Sequence, residues 1–232
     1  MSESNTVHAP KIVRRRRSSL VKNQHGQAMG GKGLKTRRYL MSVTEKLLRT
    51  QPLSDLTVAE ISKRAKFTTA TFYLYFKDTR EAVLAVVSEI SQSTPDLIGQ
   101  LSSPWPPAEA HQRAQRFVET YVAAWAANAA LFRVRNLAAD EGDQDFVAVR
   151  ANSLKPLLES VAERIAERQA GKALAAGVDP NCAAIALVSM LERIGTVPGG
   201  VMRGKAFTTS DVLDAAAMIV GMVVGGATPT KG

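Results

Sequence analysis

The sequence predicts an all-α fold of about nine helices: a small N-terminal helix-turn-helix group, then a larger C-terminal helical bundle. Three observations predict it. Apolar residues recur at three- and four-residue spacing along most of the chain, without the alternation of half-buried strands. Capping and breaking residues (Thr, Asp, Gly and Pro) fall at the ends of these runs. Two short runs early in the chain are joined by a turn of only three or four residues, the spacing of a helix-turn-helix.

The first helix is expected from about Leu34 to Thr50, with Leu40, Val43 and Leu47 as its inner stripe and Gln51-Pro52 as its end. Thr57-Val-Ala-Glu60 has the spacing of a capping box, so the second helix starts there. It turns Val58, Ile61 and Ala65 inward and ends in a turn at Lys66-Phe67. Thr68 caps a third helix reaching about Leu74. Asp78 with Glu81 opens a fourth, apolar on nearly all sides through Val83–Val87 and therefore buried.

Pro95 and the run Ser102-Ser-Pro-Trp-Pro-Pro107 predict a loop. The helix after it carries Phe117, Tyr121 and Trp125 on one face and ends near Ala127. A short helix to Ala138, a turn at Asp140-Glu-Gly-Asp143 and a long helix from Phe146 to Gln169 follow, the last with Leu154, Leu158, Val161 and Ile165 in register. Gly171 and Gly177 end it, and Asp179-Pro180 begins a helix to Ile194. Gly195–Gly204 is expected to be a loop, and Ser210-Asp211 to cap a last helix reaching about Val224. The expected units are a basic arm without regular structure (1–33), a helix-turn-helix domain (34–82) and a larger helical domain (83–226).

Composition narrows the function. Of 232 residues, 45% are hydrophobic, which suits a globular chain with ample apolar surface to bury. No apolar run reaches the roughly 18 residues of a membrane span; the longest, near Ala215–Val224, is short and rich in Ala and Gly. No apolar stretch follows the N-terminal arginines, so a secretory signal is not expected. The lone Cys182 suits a reducing cytoplasm and is expected to be a small buried residue on an Ala-rich helix.

The net charge of +9 is confined to one end. Residues 1–38 hold ten basic residues, among them Arg14, Arg15, Arg16 and Arg17, against the single acid Glu3. The remaining chain holds 20 basic and 20 acidic residues. A polyanion partner at that end follows, with DNA the first candidate. Gly30-Gly31-Lys32-Gly33 lacks the strand and the Lys-Ser/Thr step of a phosphate loop and reads as a hinge.

Catalysis is not expected. His8, His25 and His111 are scattered, no metal-ligand spacing occurs and no nucleophile is paired with a base. Glu159, Glu163 and Glu167 interleave with Arg164 and Arg168 as surface ion pairs. No cofactor or metal is implied.

The third helix would lie in the major groove. Its outward side chains are Thr68, Thr69, Thr71, Tyr73 and Leu74, and no acid interrupts Ile61 to Lys77. Threonine hydroxyls reach phosphates and base edges, and their methyls meet thymine methyls. Phe67, Phe72 and Phe76 read as core, whereas Tyr73 and Tyr75 can each keep a wet hydroxyl.

Over Thr36 to Ala82 the chain resembles the tetracycline-repressor (TetR) family DNA-binding domain. The resemblance is carried by Thr36-Arg37, by Leu56-Thr-Val-Ala-Glu-Ile-Ser-Lys-Arg-Ala65 and by Phe67-Thr-Thr-Ala-Thr-Phe-Tyr-Leu-Tyr-Phe76. Two departures stand out. Lys66 occupies the turn where the family often has glycine, and Lys77-Asp78-Thr79 replaces a Pro-Ser-Lys run, so Lys77 or Arg80 would supply that phosphate contact.

The resemblance implies that Thr57 and Tyr73 contact phosphates, with Arg37, Tyr75 and Lys77 as further DNA contacts, and that Thr68, Thr69, Ala70 and Thr71 face bases. Arg14–Arg17 lie outside the family motif and are expected in the minor groove or along the backbone. The resemblance further implies a homodimer on a palindromic operator. It implies as well a repressor released by a largely apolar small molecule, with Phe117, Tyr121, Trp125, Phe132 and Met190 as candidate pocket residues. Ile185, Val188, Met190 and Leu191 with Val212, Met218, Ile219 and Val220 exceed what one helix face needs, which favours pairing with a second subunit. The competing readings are a sequence-indifferent architectural DNA-binding protein, which the basic arm fits, and a sensor that has lost operator binding.

Overall fold

The computed structural model describes residues 23–24, 26–90, 95–172, 174, 177–194, 200–202 and 205–226. Arg14–Arg17 lie outside the described residues. Ten α-helices are found among the described residues: α1 (Gly31–Leu48), α2 (Val58–Ala65), α3 (Thr69–Tyr73), α4 (Thr79–Ile90), α5 (Pro95–Leu101), α6 (Ala110–Ala127), α7 (Ala129–Asp140), α8 (Gln144–Ala170), α9 (Pro180–Ile194) and α10 (Thr209–Val220). A wider turn, Gly221–Gly225, closes α10.

The local chemistry of α1–α4 follows the sequence closely. Thr57 Oγ1 accepts the Glu60 backbone N–H at 3.1 Å and so caps α2; the cap is made by the threonine rather than by a reciprocal box. Thr68 Oγ1 accepts the Thr71 N–H at 3.1 Å and caps α3. Asp78 Oδ1 accepts the Glu81 N–H at 2.8 Å and caps α4. Each satisfies a donor left over in a helical first turn. Lys66 closes α2 in the left-handed region, at φ 57° and ψ 37°. A side chain there costs roughly 1–2 kcal/mol, so Lys66→Gly is expected to stabilise the fold by about 1 kcal/mol. Urea denaturation of the full chain reads this as a rise in midpoint at constant slope, and an unmoved midpoint would count against it.

Several elements differ from expectation, each for a physical reason. The arm is shorter than residues 1–33, because Met29 is buried and α1 starts at Gly31. The Gln24 backbone N–H donates to the Leu74 carbonyl at 3.2 Å, and its side chain donates to Glu81 Oε2 at 2.7 Å. The glycines read as a hinge therefore form the first turn of α1. Pro95 opens α5 instead of marking a loop, since proline is tolerated at the first helical position. The expected loop Gly195–Gly204 contains β1 (Gly200–Met202), which pairs antiparallel with β2 (Lys205–Phe207), Gly200 opposite Phe207. A β-carbon at Gly200 would stand 3.3 Å from the Phe207 ring.

α10 is capped by Thr208, not Ser210: Thr208 Oγ1 accepts the Asp211 N–H at 3.2 Å, and Asp211 Oδ2 accepts the Thr208 N–H at 2.6 Å. Cys182, expected to be buried, is exposed on the outer side of α9. Arg164, expected on the surface, is buried.

Two apolar cores result. One joins α1–α4, through Leu40, Ile61, Phe72, Phe76 and Val83, to Leu131 of α7 and Phe146 of α8. The other fills the space between α5, α6, α8, α9 and α10 around Phe117, Leu157, Ile165 and Leu191. α4 is thus shared property: its buried face belongs to the first core, and that core extends into α7 and α8.

Candidate functional site

Short α3 exposes a compact polar face. Thr68, Thr69, Ala70 and Tyr73 are exposed, with Tyr73 51% accessible. Thr71 is half-buried, and its hydroxyl lies 3.0 Å from that of Thr68. Thr57 stands exposed at the start of α2, and Lys77 is exposed beyond α3. Phe72 and Phe76 are fully buried beneath this face, with ring centroids 5.6 Å apart. Phe67 departs from its expected core role: it is 36% exposed and meets Tyr39 edge-on at 6.0 Å. Tyr75 is half-buried.

Arg37 sits inside this unit rather than reaching out. Its guanidinium lies 4.9 Å from the Phe76 ring centroid, and burial pushes its pKa down. Arg80 is also committed elsewhere. It donates to Asp143 Oδ2 at 2.6 Å and to Asp145 Oδ2 at 2.7 Å, tying α4 to the start of α8. The Arg80 guanidinium holds the Asp143 carboxyl below the usual carboxylate range. Of the two cations considered for the phosphate contact beyond α3, both are exposed, and Arg80 is the one held by carboxylates. Among the described residues, the exposed rows of α1–α3 carry threonine, tyrosine and basic groups, and Gln24 lies against Leu74, at the end of α3.

A cavity of about 220 Å³ lies between α4–α8, bounded by Tyr121, Trp125, Asn128, Phe132, Arg135 and Leu157. Three of the aromatics singled out in the sequence meet here. Phe117 does not; it packs against Trp105 at 6.2 Å, inside the second core. Met190 packs against the same core without bounding the cavity. The residue that sequence reasoning undervalued is Arg135. It is buried, stacks 4.7 Å from the Phe132 ring centroid and donates to Ser153 Oγ at 2.9 Å. Glu192 receives it at 3.4 Å and takes Arg150 at 2.7 Å. Burial lowers the Arg135 pKa while Glu192 opposes the shift. Burial, aided by Glu192, raises that of the Tyr121 hydroxyl, which stays protonated. The Trp125 indole Nε1 is buried with no hydrogen-bond acceptor among the described residues.

The cavity meets the N-terminal core at Ile90 of α4 and is tied to α1 through Arg49. Arg49, just past the end of α1, donates to the Ala127 carbonyl at 2.8 Å and to Asn128 Oδ1 at 3.2 Å. Asn128 is a cavity wall.

A capped helix-turn-helix with an exposed polar and basic face, carried on a largely helical second unit that encloses a cavity, defines a DNA-binding transcription regulator. Comparison with known proteins agrees. A family model described as bacterial regulatory proteins, tetR family, matches residues 40–86, and one described as tetracyclin repressor-like, C-terminal domain, matches residues 96–231. The chain belongs to the TetR family, whose regulators are not enzymes.

Solved structures share the fold at low identity. A TetR/AcrR-family regulator from Thermobifida fusca YX-ER1 is 17% identical, with a TM-score of 0.58 over 81% of this chain and 97% of that one. The fatty acid degradation regulator FadR from Bacillus halodurans is 15% identical, with a TM-score of 0.59 over 84% and 97%. GusR from Salmonella enterica is 13% identical, with a TM-score of 0.59 over 82% and 96%. No curated protein matches the chain. No helix among the described residues is long and apolar enough to cross a membrane.

Proposed function

We propose that the chain is a homodimeric repressor that a small molecule releases from a palindromic operator. The observation that carries this reading is the hydrogen bond that Arg49, behind the helix-turn-helix, donates to the cavity wall Asn128. Thr68, Thr69, Ala70 and Thr71 read base edges, Thr57, Tyr73, Tyr75 and Lys77 hold phosphates, and Arg14–Arg17 add charge alongside. Arg37 acts by bracing Phe76. Exposed Ile185 on α9, with Met218 and Ile219 on α10, supports a dimer that covers them. Such a dimer sets two α3 helices roughly 34–36 Å apart, one turn of DNA.

The effector is compact. Drug-sized ligands fill pockets of roughly 300–1,000 Å³, and a cavity of roughly 150 Å³ holds benzene. The cavity of about 220 Å³ therefore suits a single ring or a short chain. Its aromatic walls favour an apolar body, and the unanswered Trp125 N–H favours one acceptor oxygen.

A ligand that shifts Asn128 pulls on Arg49 and so tilts α1 and the unit packed on it. Binding can shift the equilibrium only by its differential affinity for the two states, typically 1–3 kcal/mol of coupling. Arg49→Ala is expected to leave free-protein DNA affinity within about twofold while cutting at least half of that coupling. Fluorescence anisotropy on operator DNA, with and without a released-state ligand found by screening single-ring compounds, measures both. An unchanged ligand effect in Arg49→Ala removes Arg49 from the coupling. No loss of DNA affinity with any ligand that occupies the cavity removes ligand release itself.

A further inference from the structure

The described residues just before α1 make contacts that neither the base-reading face nor the cavity uses. Asn23 and Gln27 close a tight turn on each other. The Asn23 N–H donates to the Gln27 carbonyl at 2.9 Å, and the Gln27 N–H donates to Asn23 Oδ1 at 3.0 Å. Gly26 sits in the turn at φ +74° and donates its N–H to the Asn23 carbonyl at 2.9 Å; glycine takes that backbone conformation without steric cost. Beyond the turn Met29 is buried beside Gly33, where a β-carbon would stand 3.5 Å from its side chain. The turn is thus folded back on the domain and presents Gln24 at a fixed place.

Gln24 meets both sides of the α3–α4 joint. Its backbone N–H donates at 3.2 Å to the carbonyl of Leu74, the residue that closes α3. That answers a carbonyl of the kind a helix end leaves without a partner. Its side-chain Nε2 donates to Glu81 Oε2 at 2.7 Å. The same oxygen accepts the Lys77 backbone N–H at 2.6 Å. A carboxylate only accepts, which fixes the Gln24 amide with its nitrogen toward Glu81, and both bonds are charge-assisted. Glu81 lies in the first turn of α4, and Lys77 in the link from α3. α3 has five residues, too few to hold a helix alone. Phe72 anchors its middle and the Thr68 cap its start. At its end, Gln24 and Glu81 tie it to α4.

We propose that Gln24 and Glu81 are positioning residues for base reading. Their bond holds the end of α3 so that Thr68, Thr69, Ala70 and Thr71 keep register on the base edges. The inference rests on the operator reading above. Base contacts carry sequence preference and phosphate contacts do not. Loosening α3 therefore lowers affinity for the preferred site and spares sequence-indifferent binding. Glu81 also acts through space on the Arg37 guanidinium, so deleting its charge alone would mix two effects.

Exchanging the two partners separates them. Full-length Gln24→Glu, Glu81→Gln and the double variant are titrated by anisotropy against two duplexes. One is the genomic fragment that the native chain selects best, the other a random sequence of equal length. Gln24→Glu sets two carboxylates against each other and is expected to lose about tenfold on the selected fragment, but no more than about twofold on the random one. Glu81→Gln keeps an acceptor oxygen and is expected to lose about twofold. In the double variant amide and carboxylate have changed sides and the hydrogen bond forms again. Its affinity for the selected fragment is expected within about twofold of native. Gln24 is exposed, so each Tm is expected to stay within about 2 °C of native. A double variant as weak as Gln24→Glu overturns the proposal. So does an equal loss on the random duplex, which is a charge effect, or a larger fall in Tm, which makes the contact a brace of the fold. A native chain that prefers no fragment fails the operator reading itself, and this inference with it.

Discussion

Phe72→Ala and Tyr73→Ala, adjacent on one five-residue helix, are expected to weaken DNA binding by different routes. Phe72 is fully buried against Phe76, in the core that joins α1–α4 to Leu131 and Phe146. Truncating a buried phenylalanine costs about 3–5 kcal/mol through lost contacts and the cavity left behind. In a chain of 232 residues that is a drop in Tm of about 10 °C. It also empties the binding-competent state of α3, so apparent DNA affinity falls by the fraction lost, at least tenfold. Tyr73 is half exposed. Its removal is expected to move stability by no more than about 0.5 kcal/mol while DNA affinity falls about five- to tenfold through a lost phosphate contact. Circular dichroism melts beside anisotropy titrations separate the two. Equal stability losses would mean that Tyr73 is part of the core.

Removal of residues 1–22 is expected to have the largest effect on salt dependence. The arm carries Lys11, Arg14, Arg15, Arg16, Arg17 and Lys22 against Glu3. Each phosphate neutralised on duplex DNA contributes about −0.9 to the slope of log K against log salt. Four arginines engaged on DNA therefore account for a slope change of about 3–4. The cut belongs at residue 22 because Gln24 is bonded to Leu74 and Glu81. A longer deletion would disturb α3 and α4 and confuse lost charge with lost structure. An unchanged slope after the deletion would show that the arm does not engage DNA.

The helices were legible where their chemistry is local. Thr57, Thr68 and Asp78 each cap the helix they were expected to cap, because an N-cap is satisfied within three residues. The left-handed strain at Lys66 was legible for the same reason. What escaped depends on distant packing. Arg164 looks like one member of a charged ladder until the turn after α10, more than fifty residues later, closes over that end of α8. The cavity is similar. Phe117, Tyr121 and Trp125 share a face of α6, and only the approach of α5, α7 and α8 decides that Tyr121 and Trp125 bound the cavity while Phe117 fills core. Arg135 could have been found as the arginine in helical register with Leu131 and Phe132, an unusual charge on an apolar stripe. The hairpin at 200–207 gave no alternating signal long enough to read.

The central claim is that α3 of a dimer reads a specific DNA site. Selection of genomic fragments with the purified full-length protein, followed by footprinting at physiological salt, tests it most directly. The expected result is a palindromic site protected over roughly 15–30 base pairs, its two halves about one helical turn apart. Uniform, salt-sensitive protection without a preferred site would contradict it, and would make the arginine arm the main contact of a sequence-indifferent DNA-binding protein.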